Sequence, residues 1–169
     1  MVLNLPRNKI ILVLRCKDGM VSYSNNPIID FTVNDRPPKK SGGSIWSSNQ
    51  AKLVLKLRKA AFDAMQKAGL KDHFSCPVKL ELVIFAPNIT KIGDHTYVGD
   101  LDTYIAGVCE SLYPANSQVI PHEIFEGNYE IDPKKALIIN DDSQIISVKA
   151  EKVEGLQLSY RVSVIPITS

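Results

Sequence analysis

Apolar residues recur along this chain with two periods, and the change from one to the other marks its elements. Between residues 78 and 85 the period is two. Val78, Leu80, Leu82 and Ile84 alternate with Lys79, Glu81, Val83 and Phe85, the pattern of a strand with one fully apolar face. Val83 and Phe85 add apolar weight to the second face and predict burial on both sides at that end. Leu156, Leu158, Tyr160, Val162 and Val164 alternate with Gln157, Ser159, Arg161 and Ser163 and predict another half-buried strand. From Ser47 or Ser48 to about Ala68 the period is helical. Leu53, Leu57, Ala60, Ala61, Ala64, Met65 and Ala68 form one stripe, with Lys52, Lys56, Lys59, Asp63 and Lys67 opposite, and Gly69 supplies the stop. A second helix is predicted from Leu101 to Leu112 or Tyr113, with a stripe of Leu101, Ile105, Val108, Cys109 and Leu112 ended by Pro114. Residues 28–33, 136–139 and 144–153 read as further strands. Glu154-Gly155 reads as a hairpin turn, so the last two strands are expected to close the chain as an antiparallel pair.

These elements predict an α+β fold, a small mixed or antiparallel sheet packed with two main helices. Residues 1–27 read as an N-terminal appendage. Strands over 10–14 and 20–24 would flank the turn Lys17-Asp18-Gly19-Met20, where Asp-Gly tolerates the positive φ of a tight hairpin. Residues 28–169 form the main domain, with an irregular, acidic insertion at about 114–135. The segment 34–43 holds Pro37, Pro38, Gly42, Gly43 and three basic residues. It is expected to be an exposed loop, either a flap that contacts phosphate or plain surface.

Composition narrows the class. With 44% apolar residues and 22% charged, the chain can build a core without disulfide staples. Cys16, Cys76 and Cys109 are odd in number and fit no metal-binding spacing, so they read as reduced thiols in a cytoplasmic protein. No apolar run approaches the roughly 18 residues of a membrane span, so no membrane association is expected. Net charge is +2, unevenly spread. Between Arg36 and Lys71 lie nine basic residues and one acid, Asp63; between Asp100 and Asp142 lie nine acids and only Lys134 and Lys135. A metal-dependent enzyme acting on a polyanion would use such a division, although solvated helix faces produce it as well.

The candidate chemistry centres on Asp100-Leu101-Asp102 at the start of the second helix. Asp100 suits an N-cap, and Asp102 falls in the first turn, where the helix dipole favours negative charge. Because an N-cap residue is not yet helical, its side chain can swing toward that of Asp102, and the pair can converge on one hard cation. Taken alone, such a motif at a helix start is most often ordinary capping. A second acidic pair, Asp141-Asp142, stands downstream at the entry to a strand. On a strand, neighbouring side chains face opposite ways, so only one of that pair is expected to face a metal, leaving the other to cap the turn.

With Asp100-Leu101-Asp102 opening a helix and Asp141-Asp142-Ser143-Gln144-Ile145 entering a strand, in this order of elements, the stretch from Ile28 to Ile165 resembles the RusA-type Holliday junction resolvases. The Pro37-Pro38 loop and the helix ending at Gly69 support the resemblance. It implies a homodimeric, Mg²⁺-dependent endonuclease (Mn²⁺ as a substitute) that resolves four-way DNA junctions by paired nicks. Carried over residue by residue, it implies catalytic and metal-binding roles for Asp100, Asp102 and Asp142, with Asp141 as a further ligand. Mg²⁺ prefers oxygen ligands, keeps several waters, and can polarise a scissile phosphate while activating water. Branched DNA would be held by Arg36, Lys39, Lys40, Lys52, Lys56 and Lys59, with Lys91 and His95 from the loop before Gly99.

The chain departs from the family pattern at Thr103, which replaces an Asn, and at Ala106, where the family carries a lysine important for cleavage. Lys91 or His95 could supply a cation in its place. The departure motivates an alternative, a weakened relative that binds branched DNA or bridges partners without cutting. A third reading, of another class, is a binding domain whose acids only cap and turn the chain. Proximity of Asp142 to Asp100 and Asp102 separates it from the first two.

Overall fold

The structure is a computed structural model that describes residues 14–15, 21–22, 28–40, 42–47, 49–87, 89 and 99–167. Strands β1 (Leu14–Arg15) and β2 (Val21–Ser22) pair antiparallel in a small ladder of their own; the turn expected between them lies outside the described residues. The main body runs β3 (Ile29–Val33), α1 (Ala51–Ala68), β4 (Val78–Ala86), α2 (Leu101–Leu112), β5 (Ile145–Glu154) and β6 (Ser159–Pro166). This is a mixed α+β fold, with a four-stranded sheet of order β3-β6-β4-β5 and two helices.

Alternation assigns each face of the sheet. Ile29, Phe31 and Val33 of β3 stand opposite Val164, Val162 and Tyr160 of β6. Those β6 residues in turn stand opposite Leu80, Leu82 and Ile84 of β4. All nine are buried in one cluster with Leu57, Ala61 and Met65 of α1 and Tyr104, Val108 and Leu112 of α2. The other face is polar. There Asp30 accepts hydrogen bonds from Arg161 and Ser163, and Lys79, Glu81, Lys149 and Glu151 are exposed. The layer architecture is therefore one sheet with its helices on a single face.

The helix boundaries follow their local chemistry. α1 ends where Gly69 takes φ 73°, with its N–H and that of Leu70 returning to the carbonyls of Gln66 and Met65, the wrap that glycine permits after a helix. Its start falls a few residues after the serines that mark it in the sequence, because Ile45 and Trp46 turn inward. With Ala51, Val54, Ala115 and Phe125 they build a second apolar cluster, and Trp46 and Phe125 stack tilted at 6.1 Å.

Three sequence expectations change here. First, β5 and β6 are not a hairpin. β5 runs parallel to β4, and β4 lies between β5 and β6. β4 carries the strongest apolar pattern, so burial favours the position with a neighbour on each side. The link from β5 crosses the end of β4, and the Gly155 N–H donates to the Ala86 carbonyl. Second, residues 136–139 form no strand. Ile139 makes an isolated bridge to Phe74, and Leu137, Ile138 and Ile139 are buried all the same. Third, the basic segment after β3 is not an exposed flap. Pro37 and Pro38 are buried, the Lys40 N–H donates to the Thr103 carbonyl at 3.0 Å, and the Lys39 N–H donates to Gln50 Oε1 at 3.1 Å. The strap lies against α2 at Gly107, where a Cβ would stand 2.2 Å from the Pro38 carbonyl oxygen.

The insertion is tied down by one side chain. Arg58 of α1 is fully buried and donates to the carbonyls of Ser111, Ile131, Asp132 and Lys135. Its guanidinium carbon sits 5.3 Å from the centre of the Trp46 ring. Burial pulls its pKa down to about 10, partly offset by the charge of Asp132, so it stays cationic at neutral pH.

Two stability outcomes follow. Gly107→Ala forces the Pro37-Pro38 strap off α2 and lowers stability by about 1–3 kcal/mol in urea unfolding; an unchanged midpoint would show that the strap is not packed there. Arg58→Met removes the donor to four carbonyls, those of Ser111 and Ile131 in buried residues, and costs about 3–5 kcal/mol. Arg58→Lys loses nearly as much, because an ammonium cannot reproduce the fork.

Candidate functional site

α2 begins at an uncapped carboxylate. Asp100 occupies the N-cap with extended backbone (φ −75°, ψ 137°), yet its side chain makes no capping hydrogen bond. The Thr103 hydroxyl instead donates to the Asp100 carbonyl at 2.8 Å. Asp102 lies in the first turn, and both carboxylates are exposed. The capping that the sequence allowed for Asp100 is not made, and the two acids stand free at one helix end.

Two cations, Lys152 and Arg36, lie near that end, while the other candidate basic residues that the structure describes stand elsewhere. Lys152 of β5 donates through Nζ to the Gly99 carbonyl, 2.5 Å away and one residue before Asp100. Arg36 lies near enough to Tyr104 for its charge to act on the phenol. Burial raises the Tyr104 pKa; Arg36 lowers it in part, and the negative charge of Asp100 adds to the rise. Arg36 and Asp100 therefore act on the same phenol. Lys56 pairs with Asp35 at 2.5 Å, and Lys40 pairs with Glu110 of α2 at 2.7 Å. Lys52 and Lys59 are exposed on α1, and Lys39 is half-buried in the strap. Lys91 and His95 lie outside the described residues. Lys152 could not be singled out in the sequence, because only the parallel placement of β5 carries it to the start of α2.

The downstream acids divide. Asp141 caps the short 3-10 turn Asp142–Gln144: its side chain accepts from the Ser143 N–H at 2.9 Å, and the Gln144 side chain accepts from the Asp141 N–H at 3.1 Å. That is a reciprocal capping box. Hydrogen bonds to Ser143 hold the Asp141 carboxyl below its ordinary value. Gln144 also donates to the carbonyls of Phe74 and Cys76, fixing the turn to the strand side. Asp142 is exposed and has no cap to make.

Asp142 lies toward the far end of α2 from Asp100. The carbonyl of Leu112, the last residue of α2, accepts from Ile138 and Ile139, just before this turn. The charge of Asp142 acts on Cys109 and Tyr113. Burial pushes the Cys109 thiol up to about 11, and Asp142 adds to the rise. Burial pushes the Tyr113 hydroxyl up to about 12, helped by Glu110, Asp142 and Asp141. Asp102, Ala106, Cys109 and Tyr113 follow one helix face, and the rise from Asp102 to Cys109 is about 10 Å. Among the described residues, no group of three or more His, Cys, Asp or Glu side chains is gathered closely enough to hold a metal ion. Asp100 and Asp102 thus share one end of the helix and Asp142 stands toward the other, so the proximity that would set the nuclease and junction-binding readings apart from a domain whose acids only cap and turn the chain is not found among the described residues.

The described residues include no helix long and apolar enough to cross a membrane. Compared with known proteins, the chain matches no family model and no curated protein.

The placement of Asp142 has a chemical readout. At pH 8 the thiolate fraction of Cys109 should be roughly a hundredfold below that of an ordinary thiol with pKa 9.0. Alkylation followed by peptide mapping should show it correspondingly slow. Asp142→Asn should speed that alkylation and Asp102→Asn should leave it unchanged; the reverse order would place the wrong acid beside the thiol.

Proposed function

We propose that this protein is a metal-dependent endonuclease acting on branched DNA, with its reactive centre at the start of α2. The observation that carries the reading is the exposed pair Asp100 and Asp102, neither of them engaged in a cap. The resemblance of the acidic motifs and of their order to RusA-type resolvases supplies the reaction class. A bound Mg²⁺ contributes Lewis-acid polarisation of a phosphate and a water of lowered pKa. The residues present suit that ion at the level of two ligands, since Mg²⁺ is commonly held by one or two carboxylates together with waters and substrate phosphate.

The remaining roles belong to the chain itself. Asp100 and Asp102 hold the cation and orient its waters. Lys152, beside Gly99, occupies the neighbourhood left without a cation by Ala106 and offsets charge on the phosphate. Arg36 positions the backbone through its place at Tyr104. Lys52 and Lys59, with Lys39, Lys40 and Lys56 behind them, hold flanking phosphates, a contact that weakens steeply with salt. Asp142 lies along α2 from the pair and orders the DNA or water on that side; Asp141 keeps its turn in shape. Two copies of the chain supply the two nicks.

A second reading has an observation of its own. With Ala106 in place of a lysine and no three-carboxylate group among the described residues, the protein would bind branched DNA without cutting it. One experiment separates the two. A labelled four-way junction is incubated with the protein and Mg²⁺ or Mn²⁺. Paired nicks, lost at least about 100-fold in Asp100→Asn and Asp102→Asn, establish the nuclease. Tight junction binding with no cleavage in either metal establishes the binder. Neither binding nor cleavage overturns both and leaves the third reading, a binding domain whose acids only cap and turn the chain, which the separation of Asp142 from Asp100 and Asp102 favours.

A further inference from the structure

Residues 114–135 hold two short 3-10 turns and no strand, yet their main chain is held throughout. The Lys134 ammonium donates to the carbonyls of Asn116, Ser117 and Val119. The Lys135 ammonium donates to the Tyr129 carbonyl, and the Asn128 side chain to those of Ile124 and Glu126. Arg58 and the buried Phe125 fasten the segment to the body. A long irregular segment inside a compact domain is most often a binding or catalytic loop. This one binds its own carbonyls, so its outward surface is formed before any partner arrives.

That surface holds a groove of about 590 Å³, lined by Pro121, Phe125, Tyr129 and Pro133 together with the acids Glu126 and Asp132. Phe125 is buried, whereas Tyr129 is 77% exposed. A tyrosine held out in water beside an apolar groove is the usual anchor of a protein interface. The charge around it has one sign. Residues 120–133 carry four acids and no lysine or arginine, and Glu123, Glu126 and Glu130 are exposed. Such a surface repels a phosphate backbone and attracts a basic chain.

The lining also separates one basic side chain from another. A guanidinium can stack on the Tyr129 ring and pair with the carboxylate of Glu126 or Asp132 in one pose; an ammonium does not reproduce that planar fit. The two prolines and Phe125 then offer apolar surface to the residues beside it. No strand borders the groove, so a ligand lies in it extended and is read by its side chains, not added to a sheet.

We propose that the groove of the 114–135 insertion is a docking site for an extended basic segment of a partner protein, an arginine flanked by apolar residues. The site rests on the insertion alone and stands whether or not the chain cuts DNA.

The probe is a phage-displayed library of random dodecapeptides, selected on the full chain and counter-selected on Tyr129→Ala/Glu126→Lys. Enriched peptides should carry an arginine beside apolar residues. The most frequent of them, synthesised with a fluorophore, should lose affinity at least about tenfold with Tyr129→Ala and with Glu126→Lys. Both positions are exposed, so circular dichroism and melting should stay as they are. Replacing the peptide's arginine by lysine should cost at least about fivefold. Glu81→Lys makes the same charge reversal on the open face of the sheet and should leave the affinity unchanged. No enrichment over the double variant, enriched peptides without a basic residue, or an equal loss with Glu81→Lys would overturn the proposal. So would a four-way junction affinity that falls tenfold in Tyr129→Ala, or a dimer that dissociates in that variant, because the occupant would then be nucleic acid or a second copy of the chain.

Discussion

The guanidinium of Arg58 is the point on which this fold turns. Its donors reach four main-chain carbonyls in three places: the end of α2 at Ser111, the insertion at Ile131 and Asp132, and the segment before β5 at Lys135. The carbonyls of Ser111 and Ile131, both in buried residues, would otherwise be left poorly satisfied in the interior. Among the described residues no carboxylate stands at salt-bridge range of the charge; carbonyl dipoles and the face of Trp46 balance it. The consequence is positional. With α1 fixed to the end of α2, the second apolar cluster of Trp46, Ala115 and Phe125 forms beneath the insertion. The chain then leaves the insertion next to Leu112, and the turn at Asp141 and Asp142 follows at that end of α2.

That position shapes the chemistry. Because β5 runs parallel to β4, it starts near the end of α2 and carries Lys152 to the start of that helix. One strand thus links the two acidic motifs, with Asp142 before its first residue and Lys152 beside Gly99. An antiparallel β5–β6 hairpin, the simpler closure, would have left β4 at an edge. The central position of β4 sets both the separation of Asp142 from Asp100 and the identity of the cation beside Asp100.

The fold was legible where periodicity alone decides it. The alternation in β4 and β6 and the stripes of α1 and α2 place those elements within a few residues of where they lie, because each depends on burying one face. The start of α2 at Leu101 follows from the Asp100 N-cap position. Strand order was not legible: a Glu-Gly pair between two strands signals a hairpin locally, and only competition for the interior of the sheet overrules it. Arg58 was read as one more basic residue of α1, because neither its burial nor its acceptors leave a mark nearby in sequence. Gly107 gave no sign of the Pro38 carbonyl against it. Of the candidate site, the acids were visible as motifs. Their division into a capping Asp141 and an exposed Asp142 depends on the 3-10 turn, and the missing cap at Asp100 depends on a rotamer.

The uncapped Asp100 bears on how a cation would be held. A side chain at this position ordinarily stabilises its helix by about 0.5–2 kcal/mol through a bond to an early N–H. Here that bond is absent, and two like charges stand close together at the start of one helix. The dipole of α2 favours them, because its positive end faces the carboxylates. The same dipole opposes a cation, so a metal between Asp100 and Asp102 gains from two charges and loses against the helix. On the proposed reading its affinity without DNA is therefore low. A phosphate at the same end supplies further oxygen ligands and is itself favoured by the dipole. On that reading metal and nucleic acid would bind cooperatively, each completing the site for the other, and the proposed reactive arrangement would assemble only where backbone phosphate reaches the start of α2.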